Sequence, residues 1–93
     1  MRTASVERAV CVQDHKPPSK MVLMGYAVSG DEVINFKVKY DFSTMDQKGF
    51  VEDLRDSLAK GFDVAPTMVD LQEGRLLRLM SGMQNEFESK VIH

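Results

Sequence analysis

The sequence has little of what builds most chemical sites. Its 93 residues include one cysteine, two histidines and no tryptophan. One cysteine cannot close an internal disulfide or form a thiolate metal cluster, and this usage is typical of a reducing, intracellular compartment. The six glycines are scattered singly, so a glycine-rich phosphate loop is missing as well. We therefore expect no catalytic residues, no cofactor and no metal site.

Long apolar runs and an excess of one charge are also missing. The longest apolar stretch, residues 21–28, is far shorter than the roughly 20 residues that span a bilayer, and the N-terminus lacks an apolar signal core. A net charge of -2 disfavours a nucleic-acid binder that works by general electrostatics. With 43% hydrophobic residues, the chain is predicted to be one soluble domain over residues 1–93, in which residues 1–20 could form an extended N-terminal arm.

What is present is a clear alternation of apolar and polar residues over 33–42. Because strand side chains switch faces at every residue, this pattern predicts a half-buried strand. The following segment has apolar residues four apart, which predicts an amphipathic helix that covers the strand. The strand residues are Ile34, Phe36, Val38, Tyr40 and Phe42, and the helix residues are Phe50, Leu54, Leu58 and Phe62. Together they predict an α+β two-layer sandwich.

The other elements complete an antiparallel sheet of about four to five strands. Residues 6–13 read as a short edge strand, and residues 21–28 as a strand that is apolar on both faces. Residues 29–32 predict a hairpin turn into the strand at 33–42. The covering helix is predicted over 45–60, with Ser43 or Thr44 as its N-cap and Gly61 as its stop signal.

The C-terminal third is ambiguous. Residues 67–71 predict a third core strand. Residues 75–80 read as a further strand followed by a C-terminal helix over 83–91, which is the reading we favour because Ser81 and Gly82 interrupt the pattern. The alternative is one helix, because an apolar stripe of helical spacing runs through the segment. The stripe consists of Leu76, Met80, Met83, Phe87 and Val91.

Residues 33–74 resemble SEA-like and ferredoxin-like sandwich modules. The resemblance lies in the order of the alternating strand at 34–38, the helix that carries Phe50, Leu54 and Leu58, and the segment 64–71 that leads to Gly74. It implies strand, covering helix, loop and returning strand. The self-cleavage sequence of some SEA domains has no counterpart, since Ser81 and Gly82 stand in the reverse order. Such folds host many functions, so the resemblance implies architecture alone.

Three groups of residues are candidates for a metal, catalytic or phosphate-binding site. Cys11 and His15 provide two metal ligands where a site needs three or more. Glu52, Asp53 and Asp56 form a carboxylate cluster that reads as a solvated helix face. Lys37 and Lys39 could contact phosphate, but the strand's aromatics, Phe36, Tyr40 and Phe42, point to the opposite face.

The function predicted from these patterns is a non-catalytic protein-interaction module that docks onto a larger assembly or onto itself. The reason is that the chain has more apolar surface than one helix can cover. Phe87 is the residue expected to contribute most to binding of the partner. The predicted partner-binding residues are Met21, Met24, Leu76, Met80, Met83, Phe87 and Val91. The alternatives are an RNA-binding plait, which needs a basic sheet face with an exposed aromatic, and a small enzyme with an unrecognised site.

Overall fold

Over the residues that the structure describes, the chain folds as an α+β domain with a four-stranded sheet and two helices. The computed structural model describes residues 2–14 and 19–92, and for residues 86–92 it describes the backbone alone. The elements are β1 (Ala4–Gln13), β2 (Lys20–Ser29), β3 (Glu32–Asp41), α1 (Gln47–Phe62), a short 3₁₀ turn (Pro66–Met68), β4 (Val69–Asp70) and α2 (Glu73–Ile92). The α+β class predicted from the sequence is confirmed.

The sheet is mixed, which corrects the prediction of an antiparallel sheet. Its strand order is β3-β2-β1-β4. The first three strands form an antiparallel meander, whereas β4 pairs in parallel with β1 at Ala4 and Ser5. The predicted edge strand, residues 6–13, has β2 as its one strand neighbour among the described residues, because β4 pairs with β1 only at Ala4 and Ser5. Within the described residues, β3 pairs with a strand along one edge only over its whole length, and β1 does so from Val6 onward.

The β2–β3 hairpin is confirmed in detail. Ser29 pairs with Glu32, so the connection is a two-residue turn. Gly30 lies at its first position with a φ of 59°, which glycine adopts without steric cost. From this closing pair the register runs without a break to Lys20 and Asp41. The turn thereby fixes which face each side chain of β3 occupies.

Helix α1 lies two residues later than predicted, because other residues cap it. Asp46 is the N-cap, and its Oδ2 accepts a hydrogen bond of 3.1 Å from the amide of Gly49. Asp63, in the left-handed region at φ 57°, ends the helix. Gly61 is therefore inside the helix rather than its stop signal. A Cβ there would lie 2.6 Å from Cδ1 of Ile34, so Gly61 allows close helix–sheet packing.

Residues 75–80 belong to α2, so the prediction of a strand over 75–80 and a separate helix over 83–91 is wrong. A turn starts the helix: Oδ1 of Asp70 accepts from the amide of Gln72 at 2.9 Å, and Gln72 has a φ of 54°. Leu76 and Met80, one helical turn apart, are each 1% exposed. Burying two such side chains outweighs the roughly 1 kcal/mol that a glycine such as Gly82 costs in a helix.

The core lies between the helices and one face of the sheet. As predicted, Leu54 and Leu58 of α1 are buried and Phe36 and Val38 of β3 pack against the same cluster. A smaller cluster of Met21, Tyr40 and Met80 extends it toward α2. Over the described residues, neither helix is long and apolar enough to cross a membrane.

A β-bulge in β1 is the main irregularity of the sheet. The register between β1 and β2 shifts between Val6 and Arg8. A Cβ on Gly25, across from the bulge, would lie 1.9 Å from the carbonyl oxygen of Arg8, so only glycine fits there. Nε2 of Gln72 donates a 2.8 Å hydrogen bond to the carbonyl oxygen of Val6. The bulge is thus accommodated by β2 on one side and by the start of α2 on the other.

Candidate functional site

The sheet face opposite the core carries a continuous apolar surface, which we call the open face. Because the registers of both antiparallel pairs are known, its cross-strand rows can be stated. From one end they are Val12–Val22–Lys39, Val10–Met24–Lys37, Arg8–Tyr26–Asn35 and Ser5–Val28–Val33. The apolar side chains thus occupy β1 and β2, whereas the two lysines lie on the free edge strand.

The open face leaves large apolar side chains in contact with solvent. The exposed fractions are 41% for Val10, 43% for Val12, 37% for Tyr26 and 57% for Val33. Val22, on the central strand of the end row between Val12 and Lys39, is only 8% exposed. Contiguous exposed apolar side chains of this kind mark interaction surfaces more often than single ones do.

Tyr26 is the residue that the sequence reasoning missed. It lies on the open face between Arg8 and Asn35, on the same side of the sheet as Lys37 and Lys39. The three other aromatics of the sheet region were correctly assigned away from the lysines. The alternation within residues 21–28 already puts Tyr26 and Met24 on one side, but the strand was apolar on both sides and its solvent face could not be told from the sequence.

A groove lies beside the open face, between the free edge of β3 and helix α1. We call it the β3 groove. Its volume is about 620 Å³. The lining residues are Lys37, Val38, Lys39, Met45, Asp46, Gly49, Phe50, Asp53, Leu54 and Ser57. Its floor is apolar, and its rims carry two lysines on the strand and two aspartates on the helix.

The side chains of β3 that point toward the helices are less buried than their partners on β2. Val38 is partly exposed, whereas Leu23, which pairs with it, is 1% exposed. Ile34 is likewise partly exposed beside Ala27, which is 0% exposed. The two helices together therefore cover β2 more fully than the edge strand β3 at these positions, which is what leaves the β3 groove open.

The predicted partner-binding residues whose side chains the structure describes do not form one surface. Met21, Leu76 and Met80 are each 1% exposed and belong to the core. The burial of Leu76 and Met80 shows that this part of the apolar stripe of α2 packs within the chain. Met83 is partly buried against the cluster of Met21, Tyr40 and Met80, and Met24 lies partly exposed on the open face. The side chains of Phe87 and Val91 are outside the described residues.

Cys11 is held in a packing role. Its Sγ lies 3.2 Å from Sδ of Met21, and the side chain is partly buried against both core clusters. Burial raises the pKa of the Cys11 thiol, which lowers its thiolate fraction and hence its nucleophilicity. His15, the other member of the predicted pair, lies outside the described residues.

The carboxylates of α1 form a solvated helix face, as predicted. Glu52, Asp53 and Asp56 are all exposed. Arg55 on the same helix forms an ion pair with Glu73 at the start of α2. Among the described residues, no group of three or more His, Cys, Asp or Glu side chains is placed to hold a metal ion.

The turn between β3 and α1 closes one end of the β3 groove. Tyr40 is 2% exposed, and its ring lies 4.9 Å from that of Phe50. Burial raises the pKa of Tyr40, and the nearby charges of Asp46 and Asp41 raise it further. Hydrogen bonds from Ser43 lower the pKa of Asp41. A buried phenol and a hydrogen-bonded carboxylate thus hold this turn in place.

Comparisons with protein-family models, with curated proteins and with solved structures find no match to this chain. The resemblance to SEA-like and ferredoxin-like modules therefore stays a prediction.

Proposed function

We propose that this chain is a non-catalytic protein-binding module that docks onto another protein through its open face. The observation that carries the proposal is the exposure of Val10, Val12, Tyr26 and Val33 on one side of the sheet. Exposed apolar side chains are costly to leave in water, and burying them against a partner is favourable by roughly 25 cal/mol per Å² of apolar area.

The size of the open face suits a specific interface. Three strands at about 4.8 Å spacing and ten residues at about 3.3 Å each give a footprint of roughly 14 by 33 Å. That is about 470 Å² before the relief of the side chains is counted. A standard interface buries about 800 Å² on each partner, so the open face and its margins approach the required area.

The charges of the open face indicate the chemistry of the partner. Lys37 and Lys39 border the apolar side chains along β3, and Arg8 lies on β1. A protein surface with an apolar centre and acidic residues along one margin complements this arrangement. Such charge complementarity contributes mainly to partner choice and association rate.

Affinity purification with matched variants tests the proposal. The variant Val12→Glu/Tyr26→Glu places two charges on the open face. The control Ala65→Glu/Thr67→Glu adds the same charges at exposed positions outside the sheet face. We expect a protein that co-purifies with the wild-type chain and with the control but is lost with the open-face variant. Equal recovery with all three chains, or a wild-type chain that stays monomeric and partner-free at every concentration, would contradict the proposal.

A second candidate function is binding of single-stranded RNA, and Tyr26 is the observation that favours it. An exposed aromatic near lysines on a sheet face is the arrangement on which RNA bases stack. The net charge of -2 works against it. Anisotropy of a labelled single-stranded RNA decides between the two. Binding that falls with salt and is lost in Tyr26→Ala supports this candidate, and no binding at low salt excludes it.

A further inference from the structure

The free edge of β3 has backbone groups available for another strand. In a two-residue hairpin the closing residues exchange both of their backbone hydrogen bonds, and such pairs alternate along the ladder. Glu32 is a closing residue, so every second residue of β3 after it bonds to β2. The backbone N–H and C=O groups of Val38 therefore point to β2. Those of Lys37 and Lys39 point outward, along the β3 groove. Unpaired edge groups of this kind are templates for a further strand.

The β3 groove has room for the side chains of that strand. An added strand alternates its side chains between the two faces of the sheet. One set would enter the groove, where Val38, Phe50 and Leu54 supply an apolar floor and Met45 is 48% exposed. This set would cover the edge-strand residues that α1 leaves partly exposed.

The other set of side chains would lie beside Lys37 and Lys39 on the open face. Directly opposite residues of neighbouring strands have Cβ atoms about 4.5–5.5 Å apart, so opposite charges there attract and like charges repel. In a second copy paired antiparallel about Val38, the residue at the centre of the groove, Lys37 would face Lys39 of the other chain, so the edge lysines oppose self-pairing in that register. They favour a strand with acidic residues at alternate positions.

We propose that the free edge of β3 binds an extended segment of another protein in which acidic and apolar residues alternate, and that this segment adds as a strand beside β3. The apolar side chains fill the β3 groove, and the acidic side chains lie beside Lys37 and Lys39. This inference rests on the proposed protein-binding function and names the chemistry of the partner. Backbone hydrogen bonds supply affinity in this mode, and the alternating side chains supply specificity.

A synthetic peptide tests the proposal directly. The probe is a capped heptapeptide in which glutamate alternates with valine, titrated into the full chain while backbone amide signals are followed by NMR. We expect the largest shifts at Lys37 and Lys39 and slower hydrogen exchange of these two amides. A control peptide of the same composition, with its glutamates together at one end, should bind at least about tenfold more weakly. Equal affinity for both peptides, or no binding at millimolar peptide, would overturn the proposal.

Charge reversal on the protein tests the same contact from the other side. The variant Lys37→Glu/Lys39→Glu should raise the dissociation constant by about tenfold or more, since two attractive cross-strand pairs become repulsive. The matched control Lys48→Glu/Arg78→Glu makes the same charge change at exposed helix positions and should bind the peptide with little change. Circular dichroism shows whether both variants fold. Equal weakening in the two variants would attribute binding to net charge and overturn the proposal.

N-methylation of the peptide distinguishes strand addition from other binding modes. Methyl groups on alternate amides remove one outward row of donors and leave the side chains unchanged. We expect one alternate set to abolish binding and the other to leave it largely intact, because only one edge of an added strand faces β3. Equal effects of both sets would overturn strand addition. Peptide failure with a positive open-face purification would reject this inference alone, whereas failure of both experiments would reject the proposed function as well.

Discussion

The two faces of the sheet differ in burial far more than in composition. On the covered face, β2 contributes Leu23 at 1% exposure and Ala27 at 0%. On the open face the same strand contributes Met24, Val28 and Tyr26, which are partly or largely exposed. One strand thus carries apolar residues on both sides, and within the described part of the chain the helices cover one of these sides. Apolar character therefore indicates where contacts are favourable but not which contacts the chain itself makes.

The largest expected effect is the difference between two adjacent residues of β2. Leu23→Ala should lower the free energy of unfolding by about 2–5 kcal/mol, because it leaves a cavity in a packed core. Met24→Ala, one residue away on the open face, should cost less than about 1 kcal/mol. Urea denaturation of both variants measures the contrast. Similar losses would mean that the open face is as well packed as the covered one.

A smaller loss of stability is expected at the β-bulge, where the register between β1 and β2 shifts. Gly25→Ala should destabilise the chain by roughly 1–3 kcal/mol, since the new methyl group would clash with the carbonyl oxygen of Arg8. Gly82→Ala is the matched control in α2, where a Cβ meets nothing within 4 Å. It should stabilise by about 0.5–1 kcal/mol. A neutral Gly25→Ala would contradict the described bulge.

The covered face should also respond to alkaline pH. The folded-state pKa of Tyr40 is raised by burial and by nearby carboxylates, so the folded state retains the proton longer than the unfolded state does. Its stabilising effect is complete below the unfolded pKa of about 10 and is lost as pH rises through the folded value. Thermal unfolding between pH 9 and 11 should show a steeper decline for the wild-type chain than for Tyr40→Phe. Parallel declines would show that Tyr40 is not responsible.

The smallest effect is expected at the edge of the open face. Lys37→Ala should change the free energy of unfolding by no more than about 0.5 kcal/mol, because the side chain is exposed. The same variant is expected to weaken binding of the alternating peptide. A stability loss near that of Leu23→Ala would show that Lys37 serves the fold rather than a partner.

Sequence reasoning succeeded where the signal was local. The alternation at 33–42 and the short glycine-containing loop at 29–32 predicted β3 and its hairpin, and the four-residue spacing of Phe50, Leu54 and Leu58 predicted α1. Each of these patterns reflects the geometry of one element. They could be read without knowledge of the rest of the chain.

It failed where a distant contact decides the outcome. The start of α2 depends on Gln72, whose side chain reaches the backbone of Val6 across 66 positions of sequence. The local pattern predicts that Gly61 ends the helix. Its place inside α1 reflects a close tertiary approach to Ile34, which the local pattern does not show. The alternation at 67–71 predicted a longer strand than the two residues of β4, and nothing local shows that β4 pairs with β1 at Ala4 and Ser5. The open face was missed for a related reason, since nothing local shows which side of β2 the helices cover.

The position of β1 in the sheet has a consequence for the order of folding. Its antiparallel contacts with β2 join residues that are close in sequence, whereas its parallel contact joins Ala4 to Val69. Closing a long loop costs entropy before the contact returns any stability, so local pairings form more readily than distant ones. The meander of β1, β2 and β3 is therefore expected to assemble first as a template. The C-terminal segment then adds β4 beside the start of β1, and this long-range pairing completes cooperative folding.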